Sequence, residues 1–202
     1  MLLANWVNTT GEYLLGSIVD DTATTAVATG TAGGLTEGQY IGAFYSSFYG
    51  YVNVLGLVLQ AFVVSRIVKY LGVSVGLIIL PVIALGVYSL IFFFPILSYV
   101  RWAKTAENAT DYSLQNTVRN MLFLPCTREQ KYKAKQAIDA FFVRAGDVMS
   151  AVVVYVGTTF LAAQIAGFAL FNLVLVTGWL TLAILIGREY RTLVASDRPP
   201  CI

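Results

Sequence analysis

The sequence predicts an all-α membrane protein, built as a bundle of six transmembrane helices, and three observations predict it. Of its 202 residues, 57% are hydrophobic and only 12% are charged, whereas soluble domains carry about 25% charged residues. No Asp, Glu, Lys or Arg occurs in 38–65, 70–100 or 148–187. One helix needs about 20 apolar residues to cross a bilayer, so the last stretch is long enough for two crossings. These runs lack the alternating apolar and polar residues of a membrane β-barrel strand. Helices are therefore expected.

The helix boundaries follow from the apolar runs and from the residues that interrupt them. Gly72, Pro95 and Pro125 are natural stops between neighbouring helices. The segment 20–38 is rich in small and mildly acidic residues, and it is predicted to be a loop. Residues 1–202 are therefore predicted to form a single transmembrane domain, with helices near 2–19, 38–69, 73–94, 96–124, 131–160 and 163–187.

Basic residues indicate the orientation, because cytoplasmic loops near helix ends are enriched in Lys and Arg. The segments near 20–36, 95 and 161 hold neither residue. The segments on the opposite side hold Arg66, Lys69, Arg128, Lys131, Lys133, Lys135, Arg188, Arg191 and Arg198. This distribution predicts a multi-pass protein with a cytoplasmic C-terminus. Cys126 and Cys201 lie in or near the same inner segments, so both are predicted to be reduced thiols.

The stretch RWAKTAENATDYSLQNTVRNMLFLP, residues 101–125, places charged residues between uncharged runs. Wound as a helix, its polar residues fall within an arc of about 100°, with Glu107 at the edge. An amphipathic helix in the membrane interface is the alternative, but the basic segments on either side could then not both be cytoplasmic. Charges at membrane depth persist where they pair or face an aqueous path. The stripe therefore predicts one wall of a water-filled cavity.

The first, second and fifth predicted helices carry similar polar faces, whereas the third and sixth are apolar and are predicted to be outer, lipid-facing supports. Four polar faces with charges of both signs predict the wall of a solute pathway. The candidate pathway residues are Asn5, Asn8, Glu12, Tyr49, Asn53, Arg101, Lys104, Asn108, Asp111, Gln115, Arg119, Asp139, Arg144 and Asp147.

Each of these groups also has a structural interpretation, which the sequence leaves open. Glu12 either pairs with a base on another helix or acts on solute or a coupling ion. Arg101, Lys104 and Asp111 either form a structural ion pair or contact solute. Asp139, Arg144 and Asp147 either line the pathway or simply hold the inner end of the fifth helix against the fourth. No catalytic site, metal or cofactor is predicted, and the sequence contains no histidine.

Two stretches resemble a known family: NWVNTTGEYLLG (5–16) and TDYSLQNTVRNMLFLPCTREQKYKAKQAIDAFFVRAGDV (110–148). They are similar to the C-terminal half of the nucleotide transporter family, the ATP/ADP carriers of plastids and intracellular bacteria, and more closely to relatives in free-living bacteria. The resemblance implies a major-facilitator-like fold of two six-helix halves that works by alternating access. It further implies ATP binding, ATP:ADP antiport, a bacterial inner membrane, and a partner that is a missing N-terminal half or a second copy.

One departure from the family concerns the cargo. In the ATP/ADP exchangers a lysine follows the Arg-x-Gly element of the fifth helix, whereas Asp147 follows Arg144 here. The resemblance therefore implies exchange of nucleotides or of a related anionic solute. The basic residues that can attract its phosphate oxygens are Arg101, Lys104, Arg119 and Arg144.

Three other functions stay open on the residues alone. They are a proton-coupled major-facilitator transporter of another solute, a non-transporting membrane scaffold, and an intramembrane enzyme using Asp111 and Asp147. The enzyme is not expected, because the neighbouring cations Lys104 and Arg144 keep both acids ionised. The basic loop TREQKYKAK is expected to meet anionic lipid rather than nucleic acid.

Overall fold

Helices make up the regular structure of this chain. The computed structural model describes residues 1–160 and 164–195, and within them the fold is all-α, without strands. The helices are α1 (Leu2–Ala28), α2 (Glu37–Val58), α3 (Val64–Phe93), α4 (Leu97–Thr110), α5 (Asn116–Met121), α6 (Arg128–Ala137), α7 (Val143–Phe160) and α8 (Ile165–Ala195). Five-residue π-helical turns join α2 to α3, α4 to α5 and α6 to α7, at Leu59–Val63, Asp111–Gln115 and Ile138–Phe142.

The breaks between helices lie at glycine and proline, as the sequence predicts. Gly72, within α3, has φ +80° and ψ 168°, a backbone conformation that glycine adopts without the steric cost of a Cβ atom. Pro95 lies between α3 and α4, and Pro125 lies in the turn between α5 and α6. Each break lets the next helix change direction and pack against another part of the chain.

The first helix is longer than predicted, so the loop prediction for 20–38 is wrong at its start. The helix continues to Ala28 because the segment is rich in alanine, which favours helix. The hydroxyls of Thr22 and Thr25 donate to carbonyl oxygens four residues earlier and are satisfied within the helix. Gly30, with φ +72°, lies just beyond the helix end.

Other helix boundaries differ by a few residues. The predicted fourth helix ends at Met121 rather than at 124. The predicted fifth helix begins at Arg128 rather than at 131, because Thr127 and Gln130 form a capping box there. The last helix runs from Ile165 to Ala195 rather than over 163–187; residues 161–163 lie outside the described part.

α1 lies at the centre of the packing, in contact with α2, α4, α7 and α8. Its Leu14, Leu15 and Val19 are fully buried, together with Phe48 of α2 and Val176 of α8. α3 packs along α8 and against α4. The polar residues of α1 therefore meet other helices where α1 crosses α4 and α7.

Two segments of the described part are long and apolar enough to cross a membrane: Glu37–Phe93, which contains the break at Gly72, and Ile165–Thr192. The segments predicted to cross at 96–124 and 131–160 carry more charged residues. Six membrane crossings therefore stay a prediction.

Cys126, in the turn between α5 and α6, is disulfide-bonded, so the predicted reduced thiol at this position is wrong. Disulfides are typical of oxidising compartments rather than of the cytoplasm. The bond therefore gives no support to the predicted cytoplasmic placement of this turn. Cys201 lies outside the described residues.

Candidate functional site

A cluster of polar side chains is buried where α1, α3 and α4 meet. This Lys104 cluster consists of Glu12, Tyr88, Lys104, Glu107 and Asn108. Lys104 and Glu107 are one helical turn apart and so share a face. The Lys104 Nζ lies 2.8 Å from Glu107 Oε2 and 3.6 Å from Glu12 Oε1. The shorter contact is an ion pair, although its angles do not fit a hydrogen bond.

Two neutral side chains, those of Asn108 and Tyr88, lie against the carboxylates of the Lys104 cluster. Asn108 Nδ2 donates to Glu12 Oε1 over 3.0 Å. The Tyr88 hydroxyl donates to the Val7 carbonyl over 3.0 Å and lies 3.3 Å from Glu107 Oε1. The side chain of Lys104 is 0% exposed and that of Glu107 is 5% exposed, so the two charges depend on each other rather than on water.

A glycine permits the close approach of the Tyr88 hydroxyl to the backbone of α1. A Cβ atom built on Gly11 would overlap the Tyr88 hydroxyl and would lie 3.0 Å from Lys104 Nζ. Any larger residue at position 11 therefore displaces part of the Lys104 cluster.

A polar cavity of about 360 Å³ lies beside the cluster, and Glu107 belongs to both. Small-molecule sites usually measure about 300–1,000 Å³, so a metabolite of modest size fits. The cavity is lined by Met1, Ala4, Asn5, Asn8, Leu80, Glu107, Asp111, Tyr112, Gln115, Asn116, Arg119, Val143 and Trp179.

The longest polar row of the cavity wall repeats every four residues, at Glu107, Asp111, Gln115 and Arg119. In an α-helix, a four-residue step passes one turn by about 40°, so such a row drifts around the helix. The π-helical turn Asp111–Gln115 holds more residues per turn and offsets that drift. The π turn therefore keeps the row facing the cavity.

Asp111 and Gln115 line the cavity, and each has an acceptor group that no described residue engages. Gln115 is only 6% exposed, and its Oε1 meets no hydrogen-bond donor among residues 1–160 and 164–195. In the same part of the chain, the Asp111 carboxylate forms no ion pair within 4.0 Å, as defined by N···O distance, with Lys104 or Arg119. Arg119 lies 3.9 Å from Asp139, and both side chains are partly exposed. The Arg119 guanidinium is therefore only loosely held and can meet a solute.

Polar contacts also join α1 to α7, close to the cavity. Asn5 Nδ2 donates to Asp147 Oδ1 over 2.7 Å and to the Val143 carbonyl over 2.8 Å. The Thr9 hydroxyl donates to the same Asp147 oxygen over 3.0 Å. A Cβ on Gly146 would lie 3.0 Å from the Leu2 carbonyl oxygen. Asp147 therefore joins α7, in the fifth predicted helix, to α1 through these hydrogen bonds.

The Asp147→Ala variant is expected to lose about 1–2 kcal/mol of the free energy of unfolding, because Asn5 and Thr9 lose a charged acceptor. Arg144 lies 3.7 Å from the other Asp147 oxygen, but its side chain is 80% exposed. Arg144→Ala should therefore cost less than about 0.5 kcal/mol. Denaturation of the purified chain in detergent, followed by circular dichroism, measures both. If both variants lost the same free energy of unfolding, the hydrogen bonds from Asn5 and Thr9 to Asp147 would not explain the effect of Asp147→Ala.

Arg101 points away from the cavity, toward aromatic residues of α2. Its Nη2 donates to the Ser47 hydroxyl over 3.0 Å. Its guanidinium lies 5.6 Å from the ring centre of Phe44 and 5.2 Å from that of Tyr51, within the range of a cation–π interaction.

The structure brings together only part of the predicted pathway set. Asn5, Asn8, Asp111, Gln115 and Arg119 line the cavity. The members of the set outside its lining are Glu12, Tyr49, Asn53, Arg101, Lys104, Asn108, Asp139, Arg144 and Asp147. Of these, Glu12, Lys104 and Asn108 belong to the neighbouring cluster.

Sequence reasoning missed the contributions of α3 and α8. Tyr88 of α3 is fully buried in the Lys104 cluster, and Trp179 of α8 lines the cavity. The prediction that both helices are only outer supports is therefore wrong. The residues next to Tyr88 and Trp179 in the sequence are apolar. A single tyrosine or tryptophan among them does not form a polar helix face.

Comparison with known proteins identifies the second part of the chain. Residues 104–190 match the sequence model of the family described as TLC ATP/ADP transporter. Over this segment, the chain is similar to the TLC ATP/ADP transporter family. Searches of curated proteins and of solved structures found no match.

The TLC segment supplies Lys104, Glu107, Asp111, Gln115 and Arg119, which include the ammonium of the cluster and the polar row of the cavity. Glu12, Tyr88 and the asparagines of α1 precede it. The candidate site therefore combines the TLC segment with the helices before it.

Proposed function

We propose that this chain is the C-terminal half of a secondary membrane transporter that exchanges nucleotides, as an ATP:ADP antiporter does, or a related anionic solute. The match of residues 104–190 to an ATP/ADP transporter family carries the proposal. That segment also supplies the charged residues of the cavity wall. A carrier that works by alternating access needs such a polar site between its helices, and the cavity beside α1 is our candidate.

Arg119 is our candidate phosphate ligand. Its guanidinium is a cation in the cavity wall, and arginine binds phosphate oxygens through paired, charge-assisted hydrogen bonds. Lys104 is less suited to this role, because Glu12 and Glu107 surround its buried ammonium.

Binding of radiolabelled ATP and ADP to the purified chain in lipid vesicles tests the proposal. We expect Arg119→Gln to weaken binding about tenfold, the effect of losing one charge-assisted hydrogen bond. Arg144→Gln removes the same charge from an exposed position outside the cavity lining, and it should change binding less than twofold. An unmodified chain that binds neither nucleotide at millimolar concentration would overturn the proposal.

We propose six membrane crossings in a bacterial inner membrane, with the C-terminus in the cytoplasm. The two long apolar segments and the distribution of basic residues support this topology. We further propose an N-terminal six-helix half, or a second copy, as partner. In a Cys126→Ser/Cys201→Ser background, a single cysteine introduced by Thr31→Cys or by Lys133→Cys should be labelled by an impermeant thiol reagent from opposite sides of the membrane. Labelling of both from one side would contradict the topology.

A proton-coupled carrier of another solute is the second candidate. It is favoured by the Asp111 carboxylate, which lines the cavity and forms no ion pair with any described residue. Uptake driven by a pH gradient and abolished by Asp111→Asn would support this function. Exchange that requires nucleotide on both sides of the membrane would exclude it.

A further inference from the structure

We infer that Asp111, Gln115 and Asn8 form a binding site for a monovalent metal cation, such as Na⁺ or K⁺, inside the cavity. Such an ion joins α1 to the π-helical turn that follows α4. It is a second ligand of the cavity, and its binding does not require the proposed solute.

The side-chain oxygen of Gln115 lacks a partner. Gln115 lines the cavity and is only 6% exposed. Its Oε1 is buried and meets no hydrogen-bond donor among residues 1–160 and 164–195. A buried acceptor without a partner is destabilising. A ligand that coordinates this oxygen therefore gains affinity from it.

Asp111 supplies a negative charge at the other end of the same π-helical turn. Among the described residues, its carboxylate forms no ion pair within 4.0 Å. Lys104 does not neutralise it, because Glu12 and Glu107 hold the Lys104 ammonium between them. The cavity wall therefore contains one carboxylate that no cation of the described chain balances.

Asn8 adds a neutral oxygen from α1. Its side chain lines the cavity and forms no hydrogen bond with the described residues. Carboxylate and amide oxygens are the ligands that hard metal cations prefer. The three side chains therefore offer one charged and two neutral oxygen ligands from two different helical segments.

The other cations of the wall lie away from Asp111. Arg119 is eight residues further along, about 12 Å at 1.5 Å per residue. Burial and then the positive charge of Arg119 lower the pKa of the Met1 amino group, so this amine lies toward Arg119 rather than Asp111. The Asp111 end of the cavity is therefore open to a positive ion.

The ligand charges favour a monovalent ion over a divalent one. One carboxylate with two amides balances a single positive charge, whereas Ca²⁺ usually takes several carboxylates. In the part of the chain that the structure describes, no three His, Cys, Asp or Glu side chains form a metal-ligating group. A site for Ca²⁺ or Zn²⁺ is therefore not expected here.

A cation at Asp111 also suits a cavity that receives an anion. Phosphate oxygens are repelled by a bare carboxylate, and a bound cation removes this repulsion, so the ion and an anionic solute should bind cooperatively. This cooperation, unlike the ion site itself, rests on the proposed function.

Equilibrium binding of radioactive Na⁺ and of radioactive Rb⁺, which stands in for K⁺, tests the site on the purified chain in detergent. N-methyl-D-glucamine is the only other cation present. We expect at least one of the two ions to bind saturably, with one ion per chain. A chain that binds neither ion would overturn the inference, as would Ca²⁺ that displaces the ion at a lower concentration than the ion itself. Nucleotide binding without cation binding would leave the proposed function standing.

Variants assign the ion to these ligands. Asp111→Asn and Gln115→Met should each weaken cation binding about tenfold, and Asn8→Ala about threefold, because each removes an oxygen ligand or its charge. Asp20→Asn and Gln136→Met make the same changes at exposed positions outside the cavity lining, and they should change binding less than twofold. Circular dichroism checks that each variant keeps its helices. Unchanged affinity in both Asp111→Asn and Gln115→Met would also overturn the inference.

Discussion

The Lys104→Met variant is expected to lose about 3–5 kcal/mol of the free energy of unfolding, the usual cost of removing one partner from a buried ion pair. Without the ammonium, the 5%-exposed Glu107 side chain keeps a carboxylate that water does not reach. Glu12 loses its nearest cation as well. Thermal and urea denaturation of the purified chain in one detergent, followed by circular dichroism, measure the loss.

A surface lysine provides the matched control. Lys133 Nζ lies 2.6 Å from Glu129 Oε1, a shorter contact than any in the Lys104 cluster, but both side chains are 77% exposed. Lys133→Met should therefore cost less than about 1 kcal/mol. The double variant Lys104→Met/Glu107→Gln should recover part of the single-variant loss, because it removes the unpaired charge. A double variant no more stable than Lys104→Met would contradict the assignment of the loss to Glu107.

The Gly11→Ala variant is expected to cost about 3 kcal/mol, at the upper end for an overpacked core. The added Cβ overlaps the Tyr88 hydroxyl, and Tyr88 is fully buried, so the ring has no free space to enter. α1 must move away from α3, which strains the Lys104 cluster. The same denaturation measurements test this expectation.

Gly86→Ala is the control for this prediction. Gly86 also lies in a helix, but a Cβ there meets nothing within 4 Å, so alanine should add about 0.5–1 kcal/mol of stability through its helix propensity. Tyr88→Phe in the Gly11→Ala background removes the overlapping oxygen and should restore part of the loss. If Gly11→Ala proved as stable as Gly86→Ala, the close contact between Gly11 and the Tyr88 hydroxyl would be refuted.

Local features of the fold are predictable from the sequence, because single residues determine them. Gly72 and Pro95 interrupt helices wherever they occur, so the breaks follow directly. The capping box of Thr127 and Gln130 is also a local signal, and reading it would have placed the start of α6 correctly. The extension of α1 to Ala28 is harder to predict, because small residues occur in loops while alanine also favours helix.

The candidate site is less predictable, because its contacts join residues far apart in the sequence. The polar residues of 101–119 do not all face the cavity. Arg101 lies against aromatic rings and Lys104 pairs with Glu12, whereas Glu107, Asp111, Gln115 and Arg119 line the cavity. Glu107 was placed at the edge of the stripe because a regular helix was assumed. No residue pattern in the sequence predicts the π-helical turn, and this turn changes which side chains lie on the same side of the helix.

The Lys104 cluster also determines which way the cavity can widen. Glu12 meets Lys104 at one level, while Asn5 and Arg119 line the cavity further on, so α1 and the run from α4 to α5 travel in opposite directions. Their buried charges clamp the two helices together at the Glu12 end. We expect the two helices to separate more at the Asn5 and Arg119 end than at Lys104, so that a solute between them meets the Arg119 guanidinium.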